Sequence, residues 1–213
     1  KRQGQPDLVG GLEQGVGHGH DNGAPVLSRL LPANAKGGSR LPPPSRAGTH
    51  SAGPAAAGRR ALKNTALAWW VETQAPQAID AATRQFELAD NMTDRAGALH
   101  ALLRTAAPQR EAALARFAQM FADEPLVLDK WFAMQATMHR HAGDQPVLAR
   151  VRTLLGHPAF SARNPNRVRA LVGSFCNGNL AEFHAADGSG YAFWSEQVLA
   201  LDAINPQVAA RLA

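Results

Sequence analysis

Three scarcities narrow what this 213-residue chain can be. It has one cysteine, Cys176, so it can form no internal disulfide and no thiolate zinc site, and it fits a reducing compartment. No apolar run approaches the roughly 20 residues that a membrane-spanning helix needs. No basic start followed by an apolar stretch and a cleavage site is present either, so we expect no secretory signal and a cytoplasmic setting. The third lack is chemical. A zinc peptidase carries two histidines and a glutamate as His-Glu-x-x-His on one helix face, and that motif is missing. The nearest groupings, His18-Gly19-His20 and His139-Arg140-His141, read as loop histidines.

Charge adds little. Lys and Arg number 22 against 17 Asp and Glu, a net charge of +5. The excess is spread along the chain and interleaved with acids, which fits a solvated basic surface better than a nucleic-acid interface. Other chemistry is equally thin. Cys176 falls on an apolar helix side and reads as a core thiol rather than a nucleophile. Gly188-Ser189-Gly190 has neither a preceding strand nor a following Gly-Lys-Ser/Thr, so it is no phosphate loop, and Ser189 lacks the setting of a hydrolase nucleophile. We assign no catalytic and no metal-binding residue.

Composition changes near residue 57. Residues 1–57 are rich in Gly and Pro, hold no Phe, Tyr or Trp, and show no helical or strand period. Such a segment buries too little apolar area to offset the entropy of ordering, so a disordered tail is expected there. GC-rich DNA translated out of frame would give the same composition, and translating the source DNA in all frames tests that.

From Gly58 onward good helix formers dominate. Arg60–Glu72 places Leu62, Ala66, Trp69 and Trp70 on one stripe. Pro76 opens a second helix with Ile79, Ala82, Phe86 and Leu88 as its apolar side. Asn91 caps a third, with Asp94 three residues on and a stripe of Ala98, Leu99, Leu102 and Leu103. Pro108 and Pro125 open helices through Leu114, Phe117, Met120 and Phe121, and through Val127, Leu128, Trp131, Phe132 and Met134. Asp129-Lys130 within the latter implies a paired, partly buried charge. Pro146 precedes Val147, Leu148, Val151, Leu154 and Leu155. Asn164-Pro165 and Asn205-Pro206 are cap-plus-proline starts, and Asp187–Gly190 is a turn before a helix to Asp202. Strand alternation is absent. The expected fold is all-α, an irregular α-solenoid of stacked antiparallel helix pairs, HEAT- or armadillo-like, behind the Gly/Pro-rich tail.

Particular words within these helices resemble a known family. Gly58–Asn64 (GRRALKN), Phe86–Asp94 (FELADNMTD), Leu128–Phe132 (LDKWF), His157–Phe160 (HPAF), Arg163–Arg169 (RNPNRVR), Ala181–Tyr191 (AEFHAADGSGY) and Asn205–Leu212 (NPQVAARL) stand in order and register. Together they are similar to the C-terminal helical domain of bacterial aminopeptidase N, the alanyl aminopeptidase family of gluzincin zinc metallopeptidases. The resemblance implies a hydrolase that removes single N-terminal residues from peptides. It places the zinc ligands, the catalytic glutamate and the substrate-amine site in an upstream domain that this chain lacks, so this chain alone is expected to be inactive and to bind no zinc. It implies that residues 58–213 are the helical domain, truncated at its C-terminal end, and that residues 1–57 are foreign to the family.

In the family this domain closes over the catalytic domain and limits access to short or unfolded peptides. The implied partners are that catalytic domain and short peptides, with no nucleic acid and no membrane. Arg169 and Arg211 match family positions near the enclosed cavity. Either could attract the C-terminal carboxylate of a short peptide, or form a surface or interdomain salt bridge. The competing function is a freestanding helical-repeat binding module without catalysis.

Overall fold

A computed structural model describes residues 53–213. The expected disordered tail and the His18/His20 pair lie outside the described residues, apart from the tail's last few positions. The regular elements among the described residues are all helical, as expected. They are α1 (Pro54–Val71), α2 (Pro76–Leu88), α3 (Met92–Leu102), α4 (Gln109–Met120), α5 (Pro125–Ala136) and α6 (Val147–Leu155). A composite rod follows, made of α7 (Pro165–Val168), a π-helical turn (Arg169–Gly173) and α8 (Ser174–Gly178). Then come α9 (Leu180–Phe183), α10 (Ser189–Asp202) and α11 (Pro206–Leu212).

The starts of these helices are written in the chain. Proline occupies the first position of α1, α2, α5, α7 and α11, where its missing N–H is no loss and its fixed φ suits the helix. The side chains of Asn91, Asn164, Asn179 and Asn205 accept hydrogen bonds from the free N–H groups of α3, α7, α9 and α11. Gly188 has φ +71°, which favours glycine, and it ends the turn before α10. Gly190 is buried so closely under the Phe183 carbonyl that a Cβ there would collide with it.

Packing runs between elements near in sequence. α3 lies on α1 and α2, α4 on α3, α5 on α6 and the π turn, and α11 on α10. Phe86, Phe117, Phe132, Phe175 and Phe193 are fully buried. Each contributes about 2 kcal/mol through the apolar area it removes from water. Phe175 meets Phe193 edge-on at 5.5 Å, which ties the composite rod to α10.

Two of the expected stripes are rotated. In α1, Leu62 and Trp69 are 59% and 77% exposed, while Leu67 and Val71 are buried. A polar anchor sets this orientation. Lys63 Nζ lies 2.5 Å from Asp94 Oδ2, and Asn64 Nδ2 donates to Asp94 Oδ1 at 3.1 Å. Gln85 Nε2 donates to Asn64 Oδ1 at 2.7 Å, so the cluster joins α1, α2 and α3. With residues 63 and 64 turned toward α3, Leu67 and Val71 follow inward at four-residue steps and Leu62 and Trp69 turn out. Gly97 lets α3 come this close, since a Cβ there would lie 2.8 Å from Asn64 Cγ. In α2, Leu88 is 74% exposed because it sits about 200° around the helix from buried Phe86. The stripe of α3 is buried as expected.

Candidate functional site

Arg169 and Arg211 are 42 residues apart in sequence and come to one place. They line a single cleft of about 480 Å³ between the composite rod and α11, with Val168, Ser174, Val208 and Leu212 among its other walls. The cleft's sides are fixed from several directions. Asn164 starts the rod by accepting from the N–H groups of Asn166 and Arg167 at 3.0 and 3.4 Å. Arg167, buried, is held by Asp129 at 2.8 Å, by the face of Phe132 at 5.0 Å and by the Pro125 carbonyl at 3.3 Å. The contact with Asp129 is one of charge, since its Oδ1 and Arg167 Nε are not aligned as a hydrogen bond. The paired charge expected at Asp129-Lys130 is therefore Asp129 with Arg167, and Lys130 is exposed.

On the other side, Asn205 caps α11 by accepting from Val208 N–H at 3.2 Å. Trp194 Nε1 donates to the Leu212 carbonyl at 2.9 Å and pins the end of α11 to α10. At the floor a Cβ on Gly178 would lie 2.8 Å from Thr137 Cγ2, so glycine allows the rod to approach α5's end.

Both arginines are exposed. Arg169 donates through Nη2 to Asn166 Oδ1 at 2.6 Å and through Nε to the Pro165 carbonyl at 3.3 Å. Those acceptors are neutral, and among the described residues neither Arg169 nor Arg211 meets a carboxylate. Two guanidinium groups on an apolar-walled cleft can take up an anion, because each offers a planar fork that matches a carboxylate. Arg169 opens the π turn, and π turns inside α-helices recur at functional sites.

A second groove, about 600 Å³, has the opposite character. Its cations are already neutralised. Arg110 Nη2 lies 2.5 Å from Asp144 Oδ1, Arg150 Nη2 lies 2.6 Å from Glu111 Oε1, and Arg140 Nη1 lies 3.5 Å from Glu182 Oε1. The Arg110 hydrogen bond, with His141 N–H donating at 2.9 Å, holds the Asp144 carboxyl down at about 2.

The remaining chemistry is structural. Burial pushes the Cys176 thiol up to about 11, far from a thiolate at neutral pH. Asp187 Oδ1 accepts from Ser189 N–H at 2.9 Å, which makes the Asp-Gly-Ser-Gly segment a turn into α10. His139 and His141 stand in the loop after α5, and burial together with the nearby Arg104 lowers the His139 pKa. Zinc, implied by the resemblance, finds no place in the described region: no three His, Cys, Asp or Glu side chains converge there. The π turn and the buried Arg167 escaped the sequence reading. Their signal is a four-residue apolar repeat, Val168, Leu171-Val172, Phe175-Cys176, longer than the 3.6 residues of an α-helix.

Comparison with known proteins agrees with this architecture. A family described as a domain of unknown function, DUF3458_C, of ARM repeats matches residues 42–213. Aminopeptidase N of Caulobacter vibrioides is 42% identical over 165 residues, covering 78% of this chain and 19% of that protein. Aminopeptidase N of Haemophilus influenzae is 46% identical over 129 residues, covering 61% and 14%. Aminopeptidase N of Escherichia coli is 41% identical over 154 residues, covering 72% and 17%. Among solved structures, Legionella pneumophila aminopeptidase A, determined in complex with aspartic acid, aligns with a TM-score of 0.70 at 30% identity, over 88% of this chain and 21% of that one. The chain thus spans less than a fifth of the length of these curated relatives. It belongs to the DUF3458_C family of ARM-repeat domains, the C-terminal domain of the aminopeptidase N family.

Proposed function

We propose that this chain is the non-catalytic helical part of a zinc-dependent, cytoplasmic aminopeptidase, and that it covers the active-site cavity of the catalytic domain and filters peptides by size. The curated relatives are aminopeptidases, which supports a peptidase assignment. The observation that carries the finer reading is the pairing of Arg169 and Arg211 in one apolar-walled cleft with no carboxylate on either among the described residues. In this reading the zinc ligands and the catalytic acid-base belong to the rest of the enzyme. This chain's part is to exclude water and long substrates and to hold the far end of a short peptide. A charged hydrogen bond is worth more where apolar walls reduce solvent screening.

The test uses the full aminopeptidase that carries this segment. Arg169→Ala and Arg211→Ala should each raise KM about tenfold for di- and tripeptides with a free C-terminal carboxylate, the loss of one charged hydrogen bond. The kcat should change little, and aminoacyl amides, which carry no carboxylate, should be turned over as before. An equal change on both substrate types refutes carboxylate capture.

A further inference from the structure

α1 is apolar on two sides, and the structure gives a partner to one. Its inner side, through Leu67 and Val71, packs on α2 and α3. Its outer side carries Ala55, Gly58, Leu62, Thr65, Ala66 and Trp69. At 100° per residue these six fall within about 100° of one another, and none is charged. Trp69 is 77% and Leu62 is 59% exposed, and a Cβ added at Gly58 would meet nothing within 4 Å. A helix that is apolar on both sides is one that is buried on both sides.

We propose that the outer face of α1, centred on Leu62 and Trp69, is a docking surface for a further helical layer of the same aminopeptidase polypeptide, contributed by sequence outside this chain. Two observations favour that occupant. First, ARM-type arrays bury each layer between neighbours, and an outermost layer needs a polar outer face; α1 has a tryptophan and a leucine there instead. Second, the curated relatives carry more than four-fifths of their length beyond the matched segment, so chain is available to supply the layer. Trp69 is the anchor, since a large aromatic seated in a pocket dominates contacts of this kind.

The inference rests on the reading that this segment works inside a longer aminopeptidase, but it is tested separately from peptide capture. Hydroxyl-radical labelling, read by mass spectrometry, is run on this chain and on the full enzyme. Trp69 and Leu62 should label readily in this chain and severalfold more slowly in the full enzyme, while buried Trp131 stays protected in both. Leu62→Glu with Trp69→Glu should leave the melting temperature of this chain nearly unchanged and lower that of the full enzyme. Equal labelling of Trp69 in both proteins overturns the proposal. So does protection already present in this chain that fades on dilution, which would put a second copy on the face. Protection in this chain that disappears when residues 1–52 are removed overturns it too. Slower labelling in the full enzyme, with no KM change for the arginine variants, upholds this contact and removes the peptide-capture role.

Discussion

Single residues decide how firmly the cleft is held. Arg167 is buried against Asp129 and Phe132, so Arg167→Ala strands a carboxylate and removes packing at once. The expected loss is about 3 kcal/mol in chemical denaturation, the cost of breaking a buried pair from one side. Arg167→Met combined with Asp129→Leu should recover most of it, because a well-packed apolar pair avoids the desolvation penalty. Asp144 gives a prediction in pH. Its folded pKa, about 2, lies below the roughly 3.9 of an unfolded aspartate, so the unfolded chain takes up the proton first. The stabilisation is therefore complete above about pH 4 and fades as pH falls toward 2. Asp144→Asn should melt below the parent at pH 7, and the gap should close across that acid window in thermal scans.

At the scale of elements, the sequence marks where helices begin better than which way they face. Asn164-Pro165, Asn205-Pro206 and Asn91 are local signals, and the structure uses each as a start. Asn164→Ala should cost about 1 kcal/mol, and its effect should appear as faster amide exchange in the first turn of α7. Gly190→Ala should cost more, about 1–3 kcal/mol by denaturation, since the added methyl meets the Phe183 backbone. Facing is less legible because it is set by partners distant in sequence. Nothing within α1 says that Lys63 and Asn64 seek Asp94 some 30 residues away, and the Leu62/Trp69 stripe is at least as apolar as the one that is buried. The π turn has a local trace in its four-residue repeat, but that spacing shows its meaning only once Leu171 and Phe175 are both seen in the core.

For the whole molecule, family and helical class were readable from short words in register, and the cleft was not. Arg169 and Arg211 sit in two of those words, yet their meeting depends on α10 and on the Trp194–Leu212 bond that brings α11 back. A cleft assembled this way shares its support with the core, so damage to either propagates. The composite rod makes this concrete. Its wide turn accommodates one residue more than plain α winding would over the same length. Deleting one residue between 169 and 173 would let the rod rewind as an ordinary helix and rotate everything after it by about 100°. Phe175 would then leave its place against Phe193, and Ser174 and Gly178 would no longer border the arginines. A sister sequence with a one-residue gap at this point would therefore belong to a molecule that has given up this cleft, however well its remaining letters agree.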